Sequence, residues 1–174
     1  LSKLFQYEIL DSPEEESFDK IARLAAQVFD TPYAFITFVD KERVFFKANI
    51  SGLKNREMPR KHSLCSRAIM DENRVTVFHD SHITPELRES PMMDAGGGIR
   101  FYAGAAITTP DGFKLGSLCV LDEVPHELVS HKQRDMLQTL SEFVMNELDL
   151  RMVAKRAIKV HTELMNMTIH ELKN

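Results

Sequence analysis

The residues best placed to do chemistry lie at the end of the chain, where His170 is followed at once by Glu171 in the run His170-Glu171-Leu172-Lys173-Asn174. A histidine beside a carboxylate on an amphipathic helix can be made into a phosphoacceptor. Thiol chemistry is the second possibility. Cys65 stands near an expected helix start with His62 and Arg67 close by, surroundings that can lower a thiol pKa, whereas Cys119 sits inside an expected strand and reads as core. His79-Asp80-Ser81-His82 offers three metal-ligand types, but an i, i+3 histidine pair without further Cys or His is a weak pattern and reads as a solvated loop, so no metal is assigned. Gly96-Gly97-Gly98 lacks the lysine and following helix of a phosphate loop and reads as a flap over a pocket.

Composition limits what these residues can serve. The 174 residues suffice for one domain plus an extended helix, and 43% hydrophobic content suits one packed core. Lys and Arg total 22 against 26 Asp and Glu, so a net charge of -4 gives no electrostatic footprint for nucleic acid or an anionic membrane. No apolar run approaches the roughly 18 residues of a membrane span. Two cysteines in a chain of this size suit free thiols in a reducing compartment, and a cytoplasmic location is expected. A first residue that is not Met, and a chemically suggestive motif at the last residues, suggest a piece of a longer polypeptide.

Several elements must position these groups. Ser12-Pro13-Glu14-Glu15 carries the pattern of a helix start, with Ser12 as cap and Glu15 closing a capping box. Phe18, Ile21, Ala22, Ala25, Val28 and Phe29 then give one apolar face before Asp30-Thr31-Pro32. Aromatic and β-branched runs from Tyr33 to Val39 and from Arg43 to Ile50 read as paired strands. A short helix from Ser63 through Met70, a strand over Val75 to Phe78 and a polar passage to Pro91 follow. Ile99 to Thr108 and Lys114 to Leu121 flank the turn Pro110-Asp111-Gly112 as a hairpin. Ser130 with Gln133 forms a second capping box and opens a helix without Gly or Pro to the end of the chain. The order contains no regular strand and crossover-helix alternation, so an α+β fold on an antiparallel sheet is expected.

The segments Phe18-Asp19, Phe45-Phe46-Lys47-Ala48, Pro59-Arg60, Ile99-Arg100-Phe101-Tyr102-Ala103-Gly104-Ala105 and Leu115-Gly116-Ser117-Leu118-Cys119-Val120-Leu121-Asp122 resemble the GAF domain family over roughly residues 5 to 150. That resemblance implies a six-stranded antiparallel sheet with helices on one face and a small-molecule pocket on the other, regulating an attached output domain. It places Phe46, His62, Cys65, Phe78, Asp80, Phe101 and Tyr102 at the pocket wall. Covalent bilin attachment in that family wants a Cys-His pair, but Ser66 follows Cys65. Heme would need an axial histidine, with His62, His79 and His82 as candidates that read equally well as surface groups. Neither heme nor bilin is favoured, and the cofactor stays unknown.

Met167 to Asn174 is similar to the start of the phosphoacceptor box of sensor histidine kinases, without the Pro-Leu that usually follows. This second resemblance implies phosphorylation of His170 with Glu171 as assisting base. Leu137, Val144, Ile158, Met165 and Leu172 occupy one seven-residue column interrupted by Arg151, next to a column of Leu148, Lys155, Thr162 and Ile169. As d and a positions they form a coiled-coil homodimer seam with His170 facing solvent, and Arg151, Lys155 and Thr162 weaken it enough for the helix to shift register. Arg151 reads alternatively as a snorkelling residue at a domain exit.

Residues 1-150 are therefore expected to form a GAF sensory domain for an unknown small molecule, itself non-catalytic. Residues 151-174 are expected to lead into a truncated histidine-kinase dimerisation domain, with a kinase domain downstream and a response regulator as partner. The alternatives are a thiol enzyme of the free methionine sulfoxide reductase type and a pure dimerisation module.

Overall fold

A computed structural model describes residues 1-52, 54-87 and 98-174. Gly96 and Gly97, and with them the expected flap, lie outside the described residues.

Strands β1 (Tyr33–Val39), β2 (Arg43–Ile50), β3 (Glu57–Pro59), β4 (Val75–Phe78), β5 (Phe101–Thr108) and β6 (Lys114–Asp122) form one antiparallel sheet in the order β3-β2-β1-β6-β5-β4. The α+β, GAF-like antiparallel architecture expected from the sequence is present. Side chains alternate across the sheet and divide it into two faces. Ala34, Ile36 and Phe38 of β1, with Phe101, Ala103 and Ala105 of β5, enter the main core. Tyr33 and Phe35 of β1, with Tyr102 of β5, enter a smaller cluster on the opposite face.

Helices cover the first face. α1 (Ser2–Gln6) inserts Leu4, and α2 (Glu16–Phe29) buries Phe18, Ile21, Ala22, Ala25, Ala26 and Phe29. Asp30 ends α2 in the left-handed conformation at φ 51°, and Pro32 follows, where the chain turns into β1. The last helix, here α4 (His131–Lys173), is 43 residues long and opens with the Ser130–Gln133 capping box read from the sequence. Its first half packs Leu137, Leu140, Val144 and Leu148 into the same core. Burial along it stops at Met152, and every residue from Val153 onward is exposed. The second face is covered by α3 (Leu64–Ala68), capped by the Ser63 hydroxyl, which accepts from the Cys65 amide.

The start of α2 differs from its sequence pattern. Glu15 is the N-cap without a side-chain capping bond, and no capping box forms. Ser12 and Glu15 instead turn to Lys47 of β2. A buried ammonium takes precedence over a helix cap because an unpaired charge inside a protein costs more than an uncapped turn. Sequence periodicity also missed α1 and β3, which are too short to show a period.

Among the described residues, no helix is long and apolar enough to cross a membrane.

Close strand packing fixes one glycine. A Cβ at Gly116 would lie 1.8 Å from the Thr37 carbonyl oxygen on β1. Gly116→Ala is expected to lower stability by about 2 kcal/mol or more, since the obstacle is backbone that cannot rotate away. Urea unfolding checks this; an unchanged midpoint would show that β1 and β6 do not approach as described.

Candidate functional site

The second face holds a small cavity of about 30 Å³ with an almost wholly apolar lining. Phe35 and Thr37 of β1, Phe46 of β2, Tyr102 of β5, and Cys119 and Leu121 of β6 form its sheet side. Met58 of β3, with Ser63, Leu64 and Cys65 at the start of α3, closes it. Phe35 and Phe46 pack with ring centroids 5.3 Å apart. The Tyr102 ring lies over Gly104, where a Cβ would meet its hydroxyl at 2.4 Å, so Gly104 provides the space that lets this ring lie flat against the sheet.

Three of the seven residues expected at the pocket wall, Phe46, Cys65 and Tyr102, line this cavity. Phe78 packs against Tyr102 at 5.9 Å between centroids and stands behind the wall. His62, in a 3-10 turn just before α3, is partly exposed and is not a lining residue. Asp80 is engaged elsewhere, with Oδ1 and Oδ2 accepting from Arg100 Nε and Nη2 at 2.8 Å each and Oδ1 also accepting from the His82 amide. Those hydrogen bonds, Arg100's first, hold the carboxyl at about 2. Phe101 is corrected by strand alternation: its neighbour Tyr102 faces the cavity, so Phe101 faces the helices, fully buried, 6.3 Å from Phe29 and stacked on His126 at 4.1 Å.

Of the two metal-suggestive histidines, His79 directs Nδ1 at the His126 carbonyl at 2.9 Å, and the His82 amide caps onto Asp80. Phe35, Thr37, Met58, Ser63, Leu64, Cys119 and Leu121 were not singled out from the sequence as pocket residues. The period-two alternation of β1 and β6 carried the signal for four of them.

The cavity thiols are electrostatically unequal. The Cys65 thiol lies below its ordinary value because Cys119, then Thr37, Tyr102 and Ser117, hydrogen-bond to its sulfur against the opposing effect of burial. Burial pushes Cys119 up. Burial likewise raises the Tyr102 hydroxyl.

Directly behind the cavity wall lies a charged cluster. β2 is bulged: Ile36 faces Ala48 and Thr37 faces Phe46, which leaves Lys47 as the extra residue. The Lys47 side chain is fully buried and points to the helix face, with Nζ 5.2 Å from the Phe18 ring centroid. It donates to Ser12 Oγ at 2.8 Å, to the Pro13 carbonyl at 2.6 Å and to Glu15 Oε2. The same Glu15 oxygen accepts from Arg151 Nε of α4 at 2.8 Å. Arg151 Nη1 also donates to the carbonyls of Tyr7 and Glu8. Arg151 is therefore docked on its own domain. For Glu15, burial would raise the pKa, but hydrogen bonds from Lys47 and Arg151 outweigh it and hold the carboxyl below its usual range. Burial lowers Lys47.

His170 and Glu171 lie in the last turn of α4, both exposed. The His170 ring meets Asn174 Nδ2, at 3.2 Å from Nε2.

The GAF domain family model matches residues 13-148, and the chain belongs to that family. A cyclic di-GMP phosphodiesterase of Pseudomonas aeruginosa is 36% identical over 140 residues, which are 80% of this chain and 24% of the relative. The chain thus spans about a quarter of that relative's length. A domain from Sinorhizobium meliloti, assigned to a two-component sensor histidine kinase, superposes with a TM-score of 0.60 at 19% identity, covering 83% of this chain and 97% of that one. The GAF domain of an Acinetobacter phosphoenolpyruvate-protein phosphotransferase gives a TM-score of 0.64 at 14% identity, covering 90% and 94%. At these identities the two structures share the fold.

Two outcomes follow from the cluster around Glu15. Glu15→Gln leaves the buried ammonium and the guanidinium without a counter-charge and should cost about 2 kcal/mol, less than the roughly 3 to 5 of a fully buried pair because a third of the Glu15 side chain is exposed. Lys47→Met, which removes the charge and keeps the volume, should cost less, and urea unfolding orders the two. Since the folded-state pKa of Glu15 is depressed, its stabilisation is complete above the ordinary glutamate value of about 4.3 and is lost as pH falls through the lower folded value. Stability of Glu15→Gln should therefore fall less steeply below that value than stability of the parent chain; parallel acid profiles would contradict the ion pair.

Proposed function

We propose that this chain is the input segment of a dimeric histidine kinase, in which a small, mainly apolar molecule on the second sheet face biases α4 and thereby the reactivity of His170. The observation that carries this reading is α4 itself. One helix begins in the core and continues without interruption to a fully exposed His170-Glu171 pair. A helix of this kind transmits rotation or displacement over a distance of about 1.5 Å per residue, which a loop would dissipate.

Occupancy has a short path to α4. Phe46 lines the cavity and is followed by Lys47, whose partner Glu15 also holds Arg151. A guest of more than about two heavy atoms must displace part of the cavity wall, because about 30 Å³ accommodates little more. Movement of Phe46 shifts the β2 bulge, and with it the ammonium on which the Glu15–Arg151 contact depends.

The dimer seam of this proposal differs from the one read off the sequence. Leu137, Val144 and Leu148 are buried in their own domain, and Arg151 is held by Glu15. Exposed apolar positions run along the helix on two flanks: Phe143, Leu150, Val153, Val160, Leu164 and Met167 on one, and Ile158, Met165, Ile169 and Leu172 on the other; the first, which continues unbroken across the helix exit, is taken as the seam. From Leu150 the residues of that first flank and Ala157 recur at alternating spacings of three and four, the pattern of a two-stranded coiled coil between identical copies. His170 then flanks the seam, open to a downstream kinase domain. Glu171 assists as base, and a response regulator receives the phosphate.

The curated relative favours a second reading, in which the same relay controls cyclic di-GMP breakdown. With the full-length protein, ATP should leave an acid-labile phosphate on His170 that is absent in His170→Gln. No label, together with hydrolysis of cyclic di-GMP, would replace the kinase reading by the second one.

The seam has its own test. Oxidative cross-linking between copies should be efficient for Val153→Cys and Val160→Cys and poor for Ile158→Cys and Met165→Cys, in a background of Cys65→Ser and Cys119→Ser. The reverse order would restore the column containing Arg151, and absence of cross-links at all four would remove the coiled coil.

A further inference from the structure

Two thiols that the relay does not use line the cavity where α3 meets the sheet. Cys65 Sγ on α3 and Cys119 Sγ on β6 are 3.6 Å apart, both buried. The Tyr102 hydroxyl is 3.7 Å from Cys65 Sγ and 3.4 Å from Ser117 Oγ, so the sulfur facing the cavity has a polar partner in an otherwise apolar site. The chain contains no other cysteine. We propose that Cys65 and Cys119 are a redox modification site, where a small hydroperoxide entering the cavity converts the pair into a disulfide that pins α3 to β6.

Geometry supports the closure. A disulfide needs sulfurs at about 2.05 Å, so the pair must approach by roughly half of its present separation of 3.6 Å. Cys65 belongs to a helix of five residues at the edge of the fold's smaller cluster, while Cys119 lies in a central strand hydrogen-bonded on both sides, between β1 and β5. The movement therefore falls to α3, the less constrained partner. Cavity size selects the oxidant. About 30 Å³ admits a molecule such as hydrogen peroxide and excludes glutathione disulfide or a protein partner.

The chemistry balances without another reactant. The Cys65 thiolate attacks one peroxide oxygen, the O–O bond breaks, and the departing hydroxide takes up the proton released by Cys65 to leave water. Cys65 is now a sulfenic acid, oxidised by two electrons, and the peroxide has been reduced by two. Cys119 sulfur then attacks Cys65 sulfur, the S–O bond breaks as the S–S bond forms, and the hydroxide leaves as a second water with the Cys119 proton. The inequality of the two thiols assigns Cys65 as the attacking group and Cys119 as the resolving one. Because α3 and β6 close the cavity from opposite sides, the bond would fix the wall that a guest has to displace. The modification itself depends neither on the ligand nor on the output domain.

The test is peptide mapping of the folded chain after exposure to a small excess of hydrogen peroxide, without reductant. The expected product is one cross-linked peptide joining Cys65 to Cys119, lighter by two hydrogens, formed within single chains and reversed by dithiothreitol. In Cys119→Ser the reaction should stop at a sulfenic acid on Cys65 that dimedone traps. Two free thiols after exposure, or independent sulfinic acids on each cysteine, would overturn the proposal; should Cys119→Ser fail to fold, the map of the parent chain alone decides.

Discussion

The ammonium of Lys47 is out of reach of water, and the way it is satisfied determines how three parts of the chain meet. A buried charge is tolerated only when its hydrogen bonds are all answered. Here they are answered by Ser12 and Pro13 from the segment before α2 and by the carboxylate of Glu15. The same carboxylate oxygen receives Arg151 at the point where α4 leaves the body. One anion thus stands between a residue of the sheet and a residue of α4. The arrangement is a weak source of net stability but a strong source of specificity, because few other placements of α1, α2 and α4 would leave both cations paired.

Around that constraint the sheet does two jobs with its two faces. The helix face carries the bulk of the core, in which α2 and the first half of α4 cover Ile36, Phe38, Phe101 and Ala103. The other face carries a thin cluster under α3, with a small cavity at its centre. Adjacent strand residues point to opposite faces, so Phe46 and Lys47 bring the cavity and the ion cluster within one peptide bond. The bulge at Lys47 falls between the cavity residue and the ion cluster.

Much of the fold was legible in the sequence because its longer elements have strong periods. β1, β2 and β4 have the bounds expected from their aromatic and β-branched runs, and α4 starts at the Ser130–Gln133 box. The candidate site was legible only in part. Phe46, Cys65 and Tyr102 line the cavity, but Phe101 was placed on the wrong side, an error that the alternation around Tyr102 could have prevented. Ser12 and Glu15 form a local capping pattern, and nothing in their spacing reveals a lysine 32 residues further on that recruits them instead. Leu137 and Val144 of one heptad column and Leu148 of the next illustrate the same limit: an apolar heptad pattern looks alike whether it packs on its own domain or on another chain, and only burial separates the two.

If Glu15 couples the sheet to α4, the consequence should be local to the helix exit. The most direct measurement is backbone hydrogen exchange of the folded chain compared with Glu15→Gln, both under conditions where each remains folded. The account predicts faster exchange along α4 from about Leu148 to Lys155, together with the segment around Ser12, while β5 and β6 keep their protection. Unchanged protection at the exit of α4 would contradict it, and would show that packing of Leu148 and Met152 alone holds the helix to the domain.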